Sequence, residues 1–221
     1  VYFFEEHPKA GVDIGTYRLI LILPVKASGS ELTDIHLYPK NKVESEVPKK
    51  ELLDENGDPL LPRPSGAYDY EVGQKIHYRA SFMIPNQIGD IVNGAPRYSK
   101  LEFNDAVSQT GVKFEGIDKI VIGGTTVTSA DFLTTHGTYT PQNVTSPWSG
   151  YAGFKLAMNL TGTAGPATAN YLSQYAGQTM EIYYTVSFTD QTPIDRDINN
   201  EFSVTMNHDG GSDETKVNPP V

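Results

Sequence analysis

The sequence of 221 residues contains no cysteine, which excludes disulfides, thiolate catalysis, cysteine-ligated zinc sites and iron–sulfur clusters. It also lacks grouped positive charge, since 27 acidic residues outnumber 17 basic ones and both signs are scattered along the chain. A protein that holds phosphate groups needs clustered Lys and Arg. Neither nucleic acid nor an anionic membrane surface is therefore an expected partner.

Long apolar runs are absent as well. The longest, Leu19–Leu23, is too short to cross a bilayer and predicts a strand, so no membrane insertion is expected of this segment. No signal peptide is visible, and both ends of the sequence are typical of an internal part of a longer protein. The histidines are dispersed, and the acidic turn Asp54–Pro59 lacks the ligand spacing of a calcium loop. Neither a metal nor a cofactor is predicted.

The chain does contain many short segments rich in Tyr, Val, Ile, Thr and Phe, separated by Gly, Pro, Asn and Asp. Large apolar residues recur at period two, as a strand with one buried face requires. Strands are predicted at Val1–Glu5, Tyr17–Val25, Asp34–Tyr38, Lys49–Leu53, Lys75–Met83, Lys100–Phe103, Lys119–Ile122, Thr125–Thr128, Phe154–Leu160, Met180–Phe188 and Glu201–Met206. One short helix is predicted at Ala167–Ala176, ended by Gly177.

A domain boundary is predicted in the charged stretch Asn41–Pro48, which has no apolar periodicity. The strands before it are too few to form a domain alone, whereas those after it suffice for one β-sandwich. We therefore expect an all-β protein of tandem immunoglobulin-like domains. Residues 1–43 would be the last strands of a partly present first domain, and residues 44–221 would be a complete second domain.

The stretch Leu32–Asn41 ends in Tyr38-Pro39-Lys40-Asn41 and resembles the pilin motif of the major (backbone) pilins of Gram-positive sortase-assembled pili, although the usual upstream tryptophan is absent. Upstream, Tyr2–Pro8 resembles the E-box of the same family, and Gly15–Val25 resembles the apolar strand between the two motifs. The resemblance implies that Lys40 is the polymerisation nucleophile, which takes the threonine acyl group from the Leu-Pro-x-Thr-Gly (LPXTG) signal of the next subunit. It also implies that Glu6 is the E-box glutamate.

The rest of the chain resembles the isopeptide-forming, Cna-type domains of these pilins, on Tyr70–Tyr78, Tyr98–Asp105 and Asn200–Asn207. The resemblance implies an internal cross-link, in which a lysine of the first strand attacks the carboxamide of an asparagine of the last strand beside a protonated acid. These residues are assigned as Lys50, Asn200 and Asp105. Lys49 and Asn199 are the alternatives, because a one-residue register error exchanges the two faces of a strand. Glu102 and Glu115 are weaker candidates for the acid.

The resemblance implies a structural subunit of an extracellular, cell wall-anchored pilus rather than an enzyme. Its expected partners are neighbouring pilin subunits and a pilus-specific sortase, with minor pilins and host surface ligands as further candidates. The alternative is a cell-surface adhesin or carbohydrate-binding β-sandwich module that uses the aromatic residues Trp148 and Tyr151. Loss of one ammonia would test the internal bond, whereas saturable glycan or host-matrix binding that Trp148→Ala abolishes, with no polymer defect in Lys40→Ala, would favour the alternative.

Overall fold

The structure is a computed structural model that describes residues 2–4, 14–15, 19–21, 26–27, 30–31, 42–43, 48–61, 64, 68, 70–107, 109, 111–142, 152–192, 198, 200–208 and 211–217. The chain forms two compact units, Val1–Glu46 and Val47–Val221. The predicted all-β character is confirmed, since most of the described residues lie in strands.

The first unit is described through three antiparallel strand pairs. Its strands are β1 (Tyr2–Phe4), β2 (Ile14–Gly15), β3 (Leu19–Leu21), β4 (Lys26–Ala27), β5 (Ser30–Glu31) and β6 (Lys42–Val43). Strand β1 pairs with β3, β2 with β6, and β4 with β5. The predicted strands at Val1–Glu5 and Tyr17–Val25 thus each contain a short observed strand, whereas the one predicted at Asp34–Tyr38 lies outside the described residues.

The second unit is a sandwich of two five-stranded antiparallel sheets. Its strands are β7 (Lys49–Leu53), β8 (Lys75–Met83), β9 (Ile91–Val92), β10 (Ala95–Pro96), β11 (Tyr98–Val107), β12 (Val112–Ile122), β13 (Thr125–Val127), β14 (Gly137–Gln142), β15 (Ala152–Met158), β16 (Thr179–Phe188), β17 (Asn200–His208) and β18 (Gly211–Val217). The first sheet has the order β13-β12-β16-β8-β7, and the second has the order β14-β15-β11-β17-β18. Strands β9 and β10 form a separate small hairpin.

The core lies between the two sheets and follows the predicted alternation. In β8 every second residue from Ile76 to Phe82 is buried, and in β17 every second residue from Asn200 to Met206 is buried. Because successive side chains of a strand point to opposite faces, each strand contributes one apolar row to the core. Strands β7, β11 and β17 each also place one of the polar residues described below in such an inward row.

Two sheet strands, β11 and β12, extend furthest beyond their predicted bounds. Strand β11 continues through the polar pair Asn104-Asp105, which interrupts its apolar pattern. Strand β12 begins seven residues earlier than Lys119 and contains register shifts at Phe114/Gly116 and Ile117/Lys119. A bulge of this kind changes which residues face inward, so a strict period of two ends at it.

Strands β14 and β18 were not predicted, because edge strands are polar and are defined by pairing more than by burial. Both lie at the ends of the second sheet. The predicted helix is confirmed with a shift: α1 spans Gly165–Ser173, after a 3₁₀ turn at Gly162–Ala164. A π-helical turn at Asp131–Thr135 was not predicted. Among the described residues, no helix has the length and apolar character required to span a membrane.

Candidate functional site

Three polar side chains occupy inward positions that the strand pattern assigns to apolar residues. Lys50 lies on edge strand β7 of the first sheet and is 5% exposed. Asp105 lies on β11 in the middle of the second sheet and is 0% exposed, and Asn200 opens β17 and is 2% exposed. Groups of this kind are almost never fully buried without partners, so their position in the core indicates a specific role.

The strand registers and the contacts of Lys50 together place the three residues at one level of the sandwich. Lys50 pairs with the small residue Ala80 on β8. On the facing sheet, Asp105 pairs with Phe154 on one side and Phe202 on the other, and Asn200 pairs with Val107 two positions along β11. Alternation therefore directs Asp105 and Asn200 to the same inner face. The long side chain of Lys50 crosses the core from the opposite sheet to reach them.

The contacts join the two sheets through Lys50. Its Nζ atom hydrogen-bonds and pairs ionically with Oδ1 of Asp105, and both side chains are fully shielded from solvent. The same Nζ donates to the backbone carbonyl oxygen of Asn200 at 3.2 Å. The amine of β7 is thus held against the residue that opens β17, 150 positions further along the chain.

Burial pushes both ionisable groups toward their neutral forms. Desolvation lowers the pKa of Lys50 from 10.5 to about 8, against the attraction of Asp105. Desolvation also raises the pKa of Asp105, and its contacts with Lys50, Tyr184 and Asn200 oppose this only in part. A low-dielectric site disfavours charge on either partner. An uncharged amine beside a protonated carboxyl is the pair of forms that nucleophilic attack on an amide requires.

Three buried polar atoms of the site have no partner in hydrogen-bond geometry: Oδ2 of Asp105 and both Oδ1 and Nδ2 of Asn200. The Asn200 carboxamide is nevertheless close enough to Asp105, Tyr78 and Tyr184 to affect their pKa values. Unsatisfied buried polar groups are uncommon in folded proteins and often coincide with reactive sites. Oδ2 of Asp105 and the Asn200 carboxamide therefore both retain the capacity to form a hydrogen bond with each other.

Two tyrosines, Tyr78 and Tyr184, complete the site. The sequence pattern predicted that both are buried, but did not indicate that they belong to the site. Tyr78 and Tyr184 are paired across β8 and β16, and their rings stack at 5.3 Å and 12°. The Lys50 Nζ lies 5.0 Å from the centre of the Tyr78 ring and 5.6 Å from that of Tyr184. The Tyr184 hydroxyl donates to Oδ1 of Asp105 at 2.7 Å. Their period-two spacing predicted burial, but nothing in the sequence pointed to this hydroxyl contact.

The alternative residues lie elsewhere or outside the described chain. Lys49 is exposed on the opposite face of β7 from the buried Lys50. Glu102 pairs with Lys155 and Lys100 at 3.0 and 3.2 Å, and Glu115 accepts a hydrogen bond from Ser187 at 2.6 Å. Neither glutamate contacts Lys50. The alternative asparagine, Asn199, lies outside the described residues.

Four further predicted residues, Glu6, Lys40, Trp148 and Tyr151, also lie outside the described residues. The acidic turn that begins at Asp54 is described: the Asp54 Oδ1 accepts backbone N–H bonds from Asn56 and Asp58 at 2.8 and 2.9 Å. These bonds lower the pKa of Asp54. Within the described ranges, no group of three or more His, Asp or Glu is placed to hold a metal ion.

The sandwich is similar to solved structures of major pilins. The full-length major pilin RrgB from Streptococcus pneumoniae matches with a TM-score of 0.54 and 21% identity, over 86% of this chain and 28% of that one. The major pilin BcpA from Bacillus cereus matches with a TM-score of 0.51 and 12% identity, over 80% of this chain and 40% of that one. The full-length major pilin SpaD from Corynebacterium diphtheriae matches with a TM-score of 0.50 and 16% identity, over 96% of this chain and 44% of that one.

This chain has the fold of a Gram-positive major pilin. The expected Cna-type β-sandwich is confirmed by the same matches. The chain spans between 28% and 44% of the length of these three pilins. No family model and no curated protein sequence matches it. At these identities the likeness to the major pilins establishes the fold, and the role of the site rests on its own geometry.

Proposed function

We propose that the chain is part of a shaft subunit of a covalent cell-surface pilus, and that Lys50 and Asn200 form an intramolecular isopeptide bond with the help of Asp105. One observation carries the proposal: an amine, an acid and a carboxamide from three strands are buried together, with the amine bonded to both other residues and with unpartnered polar atoms on the acid and the carboxamide. A role in stability alone would not favour burying all three, since an apolar set of similar volume would avoid their desolvation cost.

The proposed reaction begins from neutral Lys50 and protonated Asp105. The Nζ lone pair attacks Cγ of Asn200 while the Asp105 proton moves toward the carboxamide and stabilises the developing charge. The new Nζ–Cγ bond forms as the Cγ–Nδ2 bond breaks. The leaving nitrogen departs as ammonia, and the Nζ proton that is lost returns to the Asp105 carboxylate. The folded core supplies the alignment, so one turnover needs no cofactor.

The bond would tie the first strand of the sandwich to the last long core strand. Lys50 lies on β7 and Asn200 on β17, and these strands belong to different sheets. A pull applied near both ends of the domain would then act along a short covalent path, and the intervening residues would remain folded. This suits a shaft subunit, and it provides cross-linking in a chain that has no cysteine.

We further propose that Lys40 is the site of intermolecular attachment and that residues 1–43 are the last strands of a preceding pilin domain. The support is the Tyr38-Pro39-Lys40-Asn41 motif, followed at a short distance by the β7 lysine. Neighbouring pilin subunits and a pilus-specific sortase would be the partners, at the cell wall. A Lys40→Ala variant tests this part separately, because it should leave the folded domain unchanged and abolish polymer formation with sortase.

Intact-mass measurement of the folded chain tests the internal bond. We expect a mass lower than that of the sequence by one ammonia, and peptide mapping that joins the Lys50 peptide to the Asn200 peptide. Lys49→Ala is the matched control, since it removes the neighbouring exposed lysine and should keep the ammonia loss. An unmodified mass in the wild-type chain would refute the internal bond.

A further inference from the structure

The hydroxyl of Tyr184 contacts only one of the two carboxyl oxygens of Asp105 in hydrogen-bond geometry. The Tyr184 hydroxyl donates to Oδ1 at 2.7 Å, and the Lys50 Nζ donates to the same Oδ1. Oδ2 has no hydrogen-bond partner. The two oxygens of one carboxyl group are therefore in different environments, one with two donors and the other with none.

An oxygen that accepts two hydrogen bonds is the carbonyl-like oxygen of a protonated carboxyl group, because a proton on it would face the two donors. The acid proton then belongs on Oδ2. Both polar atoms of the Asn200 carboxamide also lack partners in hydrogen-bond geometry and lie near Asp105. Oδ2–H is thus the donor left to polarise the amide that Lys50 attacks.

From this geometry we propose that Tyr184 is a positioning residue for isopeptide formation, which fixes the acid proton on Oδ2 of Asp105 through its hydroxyl. The inference rests on the proposed Lys50–Asn200 bond. Tyr184 acts through Asp105 and exchanges no proton with Lys50 or Asn200. The stoichiometry of the reaction, with one amide bond formed and one ammonia released, is therefore unchanged. Its ring is held by stacking on Tyr78 and by edge contact with Phe154 at 5.2 Å, which fixes the direction of the hydroxyl.

Tyr184→Phe removes the hydroxyl and keeps the ring. Tyr183→Phe is the matched control, because Tyr183 is the preceding residue of the same strand, is only half-buried, and lies beside Lys119 on the outer face. Each chain is isolated unfolded and unreacted, from inclusion bodies in denaturant, and is then refolded by dilution, with samples quenched over time. Ammonia loss is followed by intact mass, and circular dichroism gives the folded fraction, to which the rate is referred.

We expect Tyr184→Phe to lose ammonia about tenfold to a hundredfold more slowly than the wild type, the effect typical of removing one hydrogen bond to a buried acid. Tyr183→Phe should react at the wild-type rate. The rate should also change in its pH dependence. The hydroxyl stabilises the ionised form of Asp105, so its removal raises the pKa of Asp105, and the alkaline limb of the rate profile, where Asp105 loses the proton that the reaction needs, should move to higher pH.

The outcomes separate this inference from the proposal on which it rests. A wild-type chain that never loses ammonia refutes the Lys50–Asn200 bond itself. A Tyr184→Phe chain that reacts at the wild-type rate leaves the bond intact and overturns the role of Tyr184. A slow Tyr184→Phe chain with an unmoved pH profile also overturns it, since looser packing alone would lower the rate without changing the titration of Asp105.

Discussion

Asn200→Ala removes the electrophile of the proposed bond while leaving the Lys50–Asp105 pair in place. Lys50 and Asn200 are 150 positions apart, and closing a loop of that length with a covalent link stabilises the folded state by about 5 kcal/mol in the chain-entropy model. A chain of this size changes its melting temperature by about 2–4 °C per kcal/mol. The variant should therefore melt about 10–20 °C below the cross-linked wild type.

The assay combines intact mass, to show whether ammonia was lost, with calorimetry or urea unfolding of the same sample. Asn207→Ala is the matched control: it lies on the same strand β17, and its side chain accepts one hydrogen bond, from Ser212 at 2.8 Å. The control should retain the ammonia loss and cost about 1 kcal/mol or less. The prediction is refuted if Asn200→Ala still loses ammonia, or if its melting temperature equals that of the cross-linked wild type.

Three further changes test the same site. Asp105→Ala should prevent ammonia loss, and its free energy of unfolding in urea should be about 3 kcal/mol lower than that of Asn200→Ala, because it leaves the Lys50 amine buried without its carboxyl partner. In unreacted Asn200→Ala, Lys50 has a pKa of about 8 in the folded chain and 10.5 in the unfolded chain, so between these two values the folded chain binds fewer protons. The free energy of unfolding of this variant should therefore rise over that pH range by up to roughly 3 kcal/mol. The cross-linked wild type should not show this rise, because an amide nitrogen does not titrate, so the difference between the urea midpoints of the two chains should narrow. Gly153→Ala places a Cβ 2.0 Å from the backbone oxygen of Asp105 at a φ of +154°, so it should destabilise the domain by about 3 kcal/mol and slow ammonia loss, whereas an unchanged melting curve would contradict this placement.

Much of the sandwich was predictable because burial on one face leaves a period of two in the sequence. The row from Ile76 to Phe82 needed no other information, and strands β8, β16 and β17 were placed to within a residue or two. Strands β14 and β18 were missed for the complementary reason. Their residues are mostly polar and take strand conformation through pairing with β15 and β17, which a pattern of hydrophobicity does not record.

For the site, the same alternation explains what was found and what was not. Lys50, Asp105 and Asn200 each replace an apolar residue in an inward row, so the sequence alone marks them as exceptions once the register is known. The family resemblance supplied that register. Tyr184 carried no such mark, because a tyrosine fits an inward row. Its contact with Asp105 joins residues 79 positions apart on different sheets, and this depends on how the sheets pack.

The unreacted site is costly in a way that the proposed bond would relieve. Before reaction, the core holds an amine and an acid whose charged forms are disfavoured, and three polar atoms without hydrogen-bond partners. Reaction converts the amine of Lys50 into a neutral amide nitrogen, removes Nδ2 of Asn200 as ammonia, and leaves the remaining carbonyl oxygen facing the protonated Asp105. The desolvation cost of the Lys50 charge disappears, and the unpartnered atoms that remain, Oδ2 of Asp105 and Oδ1 of Asn200, become donor and acceptor of one hydrogen bond. Folding would thus bury polar groups at a cost in free energy, and formation of the bond would lower that cost while linking the two sheets covalently.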